Sequence, residues 1–396
     1  MNRTQPTLVA PRIAQRMADI EPFYVMEILA RARELEAQGR SIIHMEIGEP
    51  DFPTPQPIVD AGIAALQRGD TFYTPALGLP ALREAIAGFY RERHGVEVAA
   101  QRIVITPGSS GALLLAMGAL LNPGDEVLLA DPGYPCNRHF VRFCEGRAVG
   151  VPVGRESGYQ LTPELIEAHW TARTVAVMLA SPSNPTGTLV APESLRAIAE
   201  MVHARGARLI VDEIYHGLIY EGVAGTALAM SDQVFVVNSF SKYFGMTGWR
   251  LGWLVAPEAY VPHLDKLAQN LFLAASTPAQ HAALAAFVPA THVLLEQRRR
   301  EFQARRDYLL PALTDLGFDI PVRPQGAFYL YAGCARFSGD SRVFARELLD
   351  QAGVAITPGL DFGSNRPQDH VRFAYTTTLD NLKEGVRRLR DFLNRV

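Results

Sequence analysis

The stretch Ser239 to Arg250, SFSKYFGMTGWR, brings an amine, a guanidinium, several hydroxyls and two glycines into one short run. Ahead of it, Val234 to Val237 (VFVV) reads as a buried strand, so Lys242 falls in the turn leaving a strand end, where open α/β sheets place their ligands. A lysine there can form a Schiff base once its amine is deprotonated, and burial or a neighbouring cation makes that easier. Arg250 is such a cation and also a planar fork for a phosphate, with Ser239 and Ser241 as further donors and Gly245 and Gly248 keeping the loop compact. The set suits a phosphorylated aldehyde.

Other segments offer groups that are expensive to bury alone. Asp212 ends the apolar run Leu209 to Val211 in DEIYHGLIY, and a carboxylate at the end of a buried strand needs a positive partner. Tyr215 can point the same way if the segment turns helically. Arg372, in HVRFAYTTTLDNL, lies on a strand expected around Val371 to Ala374 and needs an anion, either a ligand carboxylate or a structural ion pair. Ser109 and Ser110 sit in PGSSG between the strand Ile103 to Thr106 and the apolar helix Ala112 to Leu121. That turn is either an ordinary helix cap or a phosphate site made by free backbone N–H groups.

These groups hang on an alternation of strand-like and helix-like segments that begins near residue 101, the pattern of a sheet wound with crossover helices. Before it, helices are expected over Phe23 to Gln38, Ile58 to Gln67 and Ala81 to Arg93, and IIHMEIGEPDFPTP reads as a short strand entering a Gly/Pro loop. Residues from about 260 to 310 form long helical patterns in which EQRRREFQARR reads as a charged, solvated face. Beyond them GAFYLY, the helix Ser341 to Gln351 and the Arg372 strand build a smaller α+β unit.

The chain has 396 residues, too many for one small core, and 48% hydrophobic with 20% charged content fits a globular protein. A net charge of -3 offers no field for nucleic acid or an anionic membrane. The three cysteines Cys136, Cys144 and Cys334 have neither disulfide-framework nor metal-ligand spacing, which fits a reducing cytoplasm and no metal. The first residues, MNRTQPTLVAPR, lack the apolar run of a secretory leader, and no stretch is long enough to span a bilayer.

Taken together, the lysine string and five further stretches in order (FYTPALG, PGSSG, DPGYPCN, SPSNPTG and DEIYHGLIY) resemble the class I, aspartate-aminotransferase-like family of pyridoxal-phosphate enzymes. The resemblance runs from the helix before Gly48 to the segment after Arg372. It implies the fold type I architecture: an α/β large domain on a mostly parallel seven-stranded sheet over 48–290, a small α+β domain over 291–396, and an amino-terminal segment over 1–47 packing with the latter. It further implies that Lys242 carries pyridoxal 5'-phosphate, that Asp212 faces the pyridine nitrogen, and that Tyr215 and Asn184 reach the phenolic oxygen. Tyr134 would stack on the ring. Ser109, Ser110, Ser239 and Arg250 would hold the phosphate, with Tyr73 contributed by the other subunit of a homodimer.

By the same resemblance Arg372, Asn184 and the backbone at Gly48 would bind the substrate carboxylate, with Phe23 and Tyr24 lining the side-chain pocket. The implied reaction is ping-pong transfer of an amino group from an L-amino acid to a 2-oxo acid. Aspartate-specific relatives carry a lysine at the position of Ser110, so a neutral, apolar or aromatic donor is expected, with pyruvate or 2-oxoglutarate as acceptor. A carbon–sulfur β-lyase would use the same cofactor residues and is the alternative. A non-catalytic, cofactor-binding regulator would need a DNA-binding module, for which the 20 or so residues ahead of the first helix leave no room.

Overall fold

The computed structural model describes residues 11–222 and 225–395. The first ten residues, which carry most of the stretch read above for a leader, lie outside them. Seven strands form the main sheet in the order Ile103–Thr106, Gly252–Val255, Phe235–Ser239, Arg208–Asp212, Thr174–Ala180, Glu126–Asp131 and Arg147–Pro152. All neighbours are parallel except Gly252–Val255, which runs antiparallel to both of its partners. The central strands read as continuous apolar runs because both faces are covered: Leu209 and Val211 feed the core on one side, Ile210 the core on the other.

Three strand ends carry much of the chemistry. Ile103–Thr106 leads into the helix Gly108–Leu120, which starts four residues earlier than its apolar pattern suggests. Arg208–Asp212 ends in the turn containing Tyr215, and Phe235–Ser239 opens into the lysine loop. That loop closes back on the sheet, since Ser239 and Gly252 are register partners across adjacent strands. Gly252 must be glycine: a Cβ there would stand 2.7 Å from the backbone of Gly108 and Ser109.

A second, antiparallel sheet joins Thr357–Pro358, His370–Ala374 and Tyr329–Gly333, and sets Arg372 opposite Thr357 and Tyr331. The amino-terminal strand Ile43–His44 pairs with Val354–Ala355 of the same region. The helix Tyr24–Ala37 is tied there too, because the Asp361 carboxylate accepts from its first N–H groups, Tyr24 N at 2.8 Å and Val25 N at 3.0 Å. Ile28, Ala32 and Leu35 make its buried face.

The charged run at 296–306 is not a solvated face. Within the helix Pro289–Asp315, Phe302, Arg305 and Arg306 are buried. Arg305 pairs with Asp51 at 2.7 Å and Glu301 at 3.1 Å, and Arg306 with Glu221 at 2.6 Å and Asp307 at 2.7 Å. Carboxylates from elsewhere in the chain compensate these charges, so one side of a polar-looking helix can enter the core. The helix expected over Ser341 to Gln351 is regular only to Glu347 and continues as a wider turn over Leu348–Ala352.

Candidate active site

The strand ends and the small sheet enclose a cavity of about 260 Å³ lined by Lys242, Asp212, Tyr215, Asn184, Tyr134, Ser109, Ser110, Arg250, Gly48, Phe23 and Arg372. Residues drawn from opposite ends of the sequence thus converge on one space. Tyr24 faces an adjoining cavity. Tyr73 lies elsewhere on the surface, 83% exposed in the single chain. Ser239 is buried with its hydroxyl committed within the loop, accepting from Ser241 N at 3.0 Å and donating to Leu251 O at 3.2 Å, and it is Ser241 that lines the cavity.

Lys242 Nζ donates to the Gly48 carbonyl at 2.7 Å. Burial, reinforced by Arg372 and Arg250 and opposed by Glu49 and Asp212, brings its amine down to about 8. At that value an appreciable fraction is a neutral nucleophile near neutral pH. Asp212 is 6% exposed; burial pushes its carboxyl up to about 6, against a hydrogen bond from Ile214 N at 3.0 Å and the attraction of Lys242. A carboxylate so placed would be stabilised by a cationic group entering the cavity.

Arg250 adopts a left-handed backbone, φ 54°, a costly conformation for a residue with a Cβ and one found where function requires it. Its guanidinium donates to Thr247 O at 3.1 Å and lies against Gly108, where a Cβ would stand 2.5 Å from Nη2. Glycine at 108, with φ 69°, therefore lets the guanidinium rest on the amino terminus of the helix Gly108–Leu120. A fork of N–H donors and free helix N–H groups at one point is an arrangement for a phosphate.

Arg372 is 5% exposed and pairs with no carboxylate among the described residues. Its Nη1 donates to Asn184 Oδ1 at 3.0 Å and its Nη2 to Glu46 O at 2.6 Å, while its Nε is buried without a partner. The neighbouring Asp369 is engaged by Arg366 at 2.8 Å, so the structural ion pair left open by the sequence is not formed with it. A buried guanidinium without a counter-ion at a cavity wall suits an anionic ligand. The bond between Asn184 and Pro185 is cis.

Two residues at the site gave little sign of themselves in the sequence. Tyr329 places its hydroxyl 2.9 Å from that of Tyr215, and the Arg372 guanidinium stands 4.3 Å from its ring centre. Strand alternation in GAFYLY could have put it on the same face as its neighbours two residues away, but not beside Tyr215. Asp361 lines the cavity and caps a helix far earlier in the chain, a contact that no local pattern announces.

The aminotransferase class I and II family profile matches residues 40–389. This chain belongs to the class I and II aminotransferases. Among them it is similar to a (5-formylfuran-3-yl)methyl phosphate transaminase of Methanocaldococcus jannaschii, 38% identical over 97% of this chain and 100% of that protein. A valine–pyruvate aminotransferase of Mycobacterium tuberculosis is 39% identical over 96% of this chain and 98% of its own length. Among solved structures, the aspartate aminotransferase of Thermus thermophilus with maleate has a TM-score of 0.91 at 34% identity, covering 96% of this chain and 100% of that one.

The protein is a pyridoxal-phosphate-dependent aminotransferase, and its own residues suit that cofactor. Asp212 offers a buried carboxylate for a protonated ring nitrogen, Lys242 an amine that deprotonates readily, and Arg250 with the glycine-opened helix terminus a seat for a phosphate. Among the described residues no cluster of His, Cys, Asp and Glu is arranged to hold a metal ion, and no helix is long and apolar enough to cross a membrane.

Proposed function

We propose that this aminotransferase takes its amino group from a neutral, apolar or aromatic L-amino acid and passes it to pyruvate or 2-oxoglutarate. The observation that carries this reading is the cavity lining. Phe23, Val25, Met26 and Leu113 line the same cavity as Ser110, and position 110 offers no cation to meet a distal carboxylate. The relative named for valine and pyruvate supports it. Relatives named for aspartate, such as that of Geobacillus stearothermophilus at 35% identity, are the counterweight.

In this reading Lys242, Asp212, Tyr215, Asn184, Tyr134, Ser109, Ser110 and Arg250 would hold pyridoxal phosphate, which when bound would supply an electron sink for the electron pair left at the substrate Cα. Arg372, held by Asn184 and Glu46, fixes the substrate α-carboxylate and so aims its Cα–H. Lys242 Nζ, neutral at a pH near its lowered pKa, takes the proton from Cα. Asp212 remains ionised while a positive group faces it. Phe328, whose ring centre is 5.8 Å from Nζ, helps to keep water from the amine.

The division into 1–47, 48–290 and 291–396, a cytoplasmic location and a homodimer belong to the same proposal. Exposure of Tyr73 supports the last, as a side chain free to reach a partner's site. Purified protein carrying the cofactor, mixed with single amino acids and pyruvate, tests the substrate reading. Turnover of valine, leucine, methionine or phenylalanine should exceed that of aspartate, and the reverse order would reject it. Sustained pyruvate release from cysteine or cystathionine without an acceptor would favour the β-lyase.

A further inference from the structure

Beyond Tyr134 lies a second cavity of about 660 Å³. Tyr134, Ala180, Asn184 and Phe362 line both spaces, so a carboxylate held at Asn184 and Arg372 would stand where they adjoin. Their walls differ in chemistry. Where the lysine cavity offers Phe23, Val25 and Met26, the second offers Asn137, Arg138 and His139 from the helix Pro135–Phe143, which starts directly after Tyr134.

These groups are uncommitted. Arg142, one turn further along, pairs with Asp19 at 2.6 Å, whereas Arg138 makes no ion pair or hydrogen bond among the described residues. Asn137 is 8% exposed; its Oδ1 has no partner and would be met by a donor such as water, while its Nδ2, which donates to no group among the described residues, is the atom that could donate to an anion. Of the acids on this wall, Asp131 is occupied by Ser364 N at 2.9 Å, Ser364 Oγ at 2.8 Å and Asn365 N at 3.2 Å, and Asp19 by Arg142; Glu21 is the remaining one. Burial raises the Asp361 carboxyl, and the charges of Arg372 and Arg138 both act against that rise.

We propose that Arg138 and Asn137 form a subsite for the distal carboxylate of a dicarboxylic 2-oxo acid, the acceptor, while the donor's apolar side chain takes the wall of Phe23, Val25 and Met26. One anchoring point for the α-carboxylate then serves two substrates whose remaining atoms diverge. The proposal rests on the reading of Arg372 as the α-carboxylate holder.

Calorimetric binding of glutarate and butyrate to the cofactor-loaded protein tests it, since neither ligand has an amino or oxo group to react. Wild type should bind glutarate more tightly than butyrate. Arg138→Gln should weaken glutarate about tenfold or more and leave butyrate within about twofold, the loss expected for one charge-assisted pair. Arg138→Lys should recover part of the loss, and undisturbed butyrate binding shows that the variants are folded. Glutarate binding that ignores Arg138→Gln, equal weakening of both ligands, or a wild type that does not prefer glutarate overturns the subsite. Normal binding of both ligands by Arg372→Gln would instead overturn the α-carboxylate reading, so the two failures are told apart.

Discussion

Arg372 Nη1 and Asn184 Oδ1, 188 positions apart in the sequence, lie 3.0 Å from each other inside the cavity. The contact joins the small antiparallel sheet to the loop after Thr174–Ala180, and both residues line the cavity. Replacing Arg372 by Gln removes the guanidinium from that wall while keeping an amide of shorter reach in its place. The expected result is a loss of kcat/KM on the order of 10²–10³ for any amino acid, the size associated with truncating a buried charge partner. Steady-state kinetics with two unrelated donors would check that the loss does not depend on the side chain.

Asp212→Asn should lower kcat with little effect on KM. The carboxylate is placed to favour a positive charge opposite it during the reaction, and losing one such electrostatic group typically costs on the order of 10²–10³ in rate. Asp212→Glu, keeping the charge but overreaching a buried site, should fall between. Rates under saturating substrate are the measurement.

For cofactor-free protein, uptake of pyridoxal phosphate should accelerate with rising pH and level off above about 8, where Lys242 is neutral. The direction follows from the chemistry: protonated amine cannot attack an aldehyde. Because Arg372 contributes to holding the amine down, Arg372→Gln should move the midpoint upward. Absorbance during mixing at a series of pH values would report both.

A separate titration should appear in stability. His44 Nδ1 stands 2.7 Å from Glu46 and Nε2 3.1 Å from Glu36, and the Glu46 hydrogen bond, with help from both charges, raises the imidazole from its usual 6.5 to about 9. Since the folded pKa exceeds the unfolded one, this contribution is complete below about 6.5 and disappears as pH rises through about 9. The ring is about a third exposed, so solvent screening leaves a contribution on the order of 1 kcal/mol. The difference in melting temperature between wild type and His44→Gln should therefore be larger at pH 6 than at pH 10.

The sequence exposed those parts of the site that sit at strand ends. Lys242, Asp212 and Ser109 each follow a short continuous apolar run, and such a run with polar residues at its end marks a doubly covered strand meeting a ligand crevice. Arg372 was legible for a related reason, as a charge inside an apolar strand. What stayed hidden depended on distance. Asp361 acts on a helix from 337 positions away, and Tyr329 on Tyr215 from 114, so neither contact has a local signature. Arg305 and Arg306 misled in the opposite sense: their run looked solvated because the acids that let them enter the core, Asp51 and Glu221, lie in other segments.

The pairing of Ser239 with Gly252 has a consequence for how this loop tolerates change. Residues 240–251 leave the sheet and come back to it at adjoining rungs, with the second rung pressed against the backbone of Gly108. Side chains along that excursion can be exchanged one at a time, but their number is fixed by its two moorings. Shortening or lengthening it by a single residue would displace the amine and the guanidinium in concert, a geometric error that no compensating substitution inside the segment can undo.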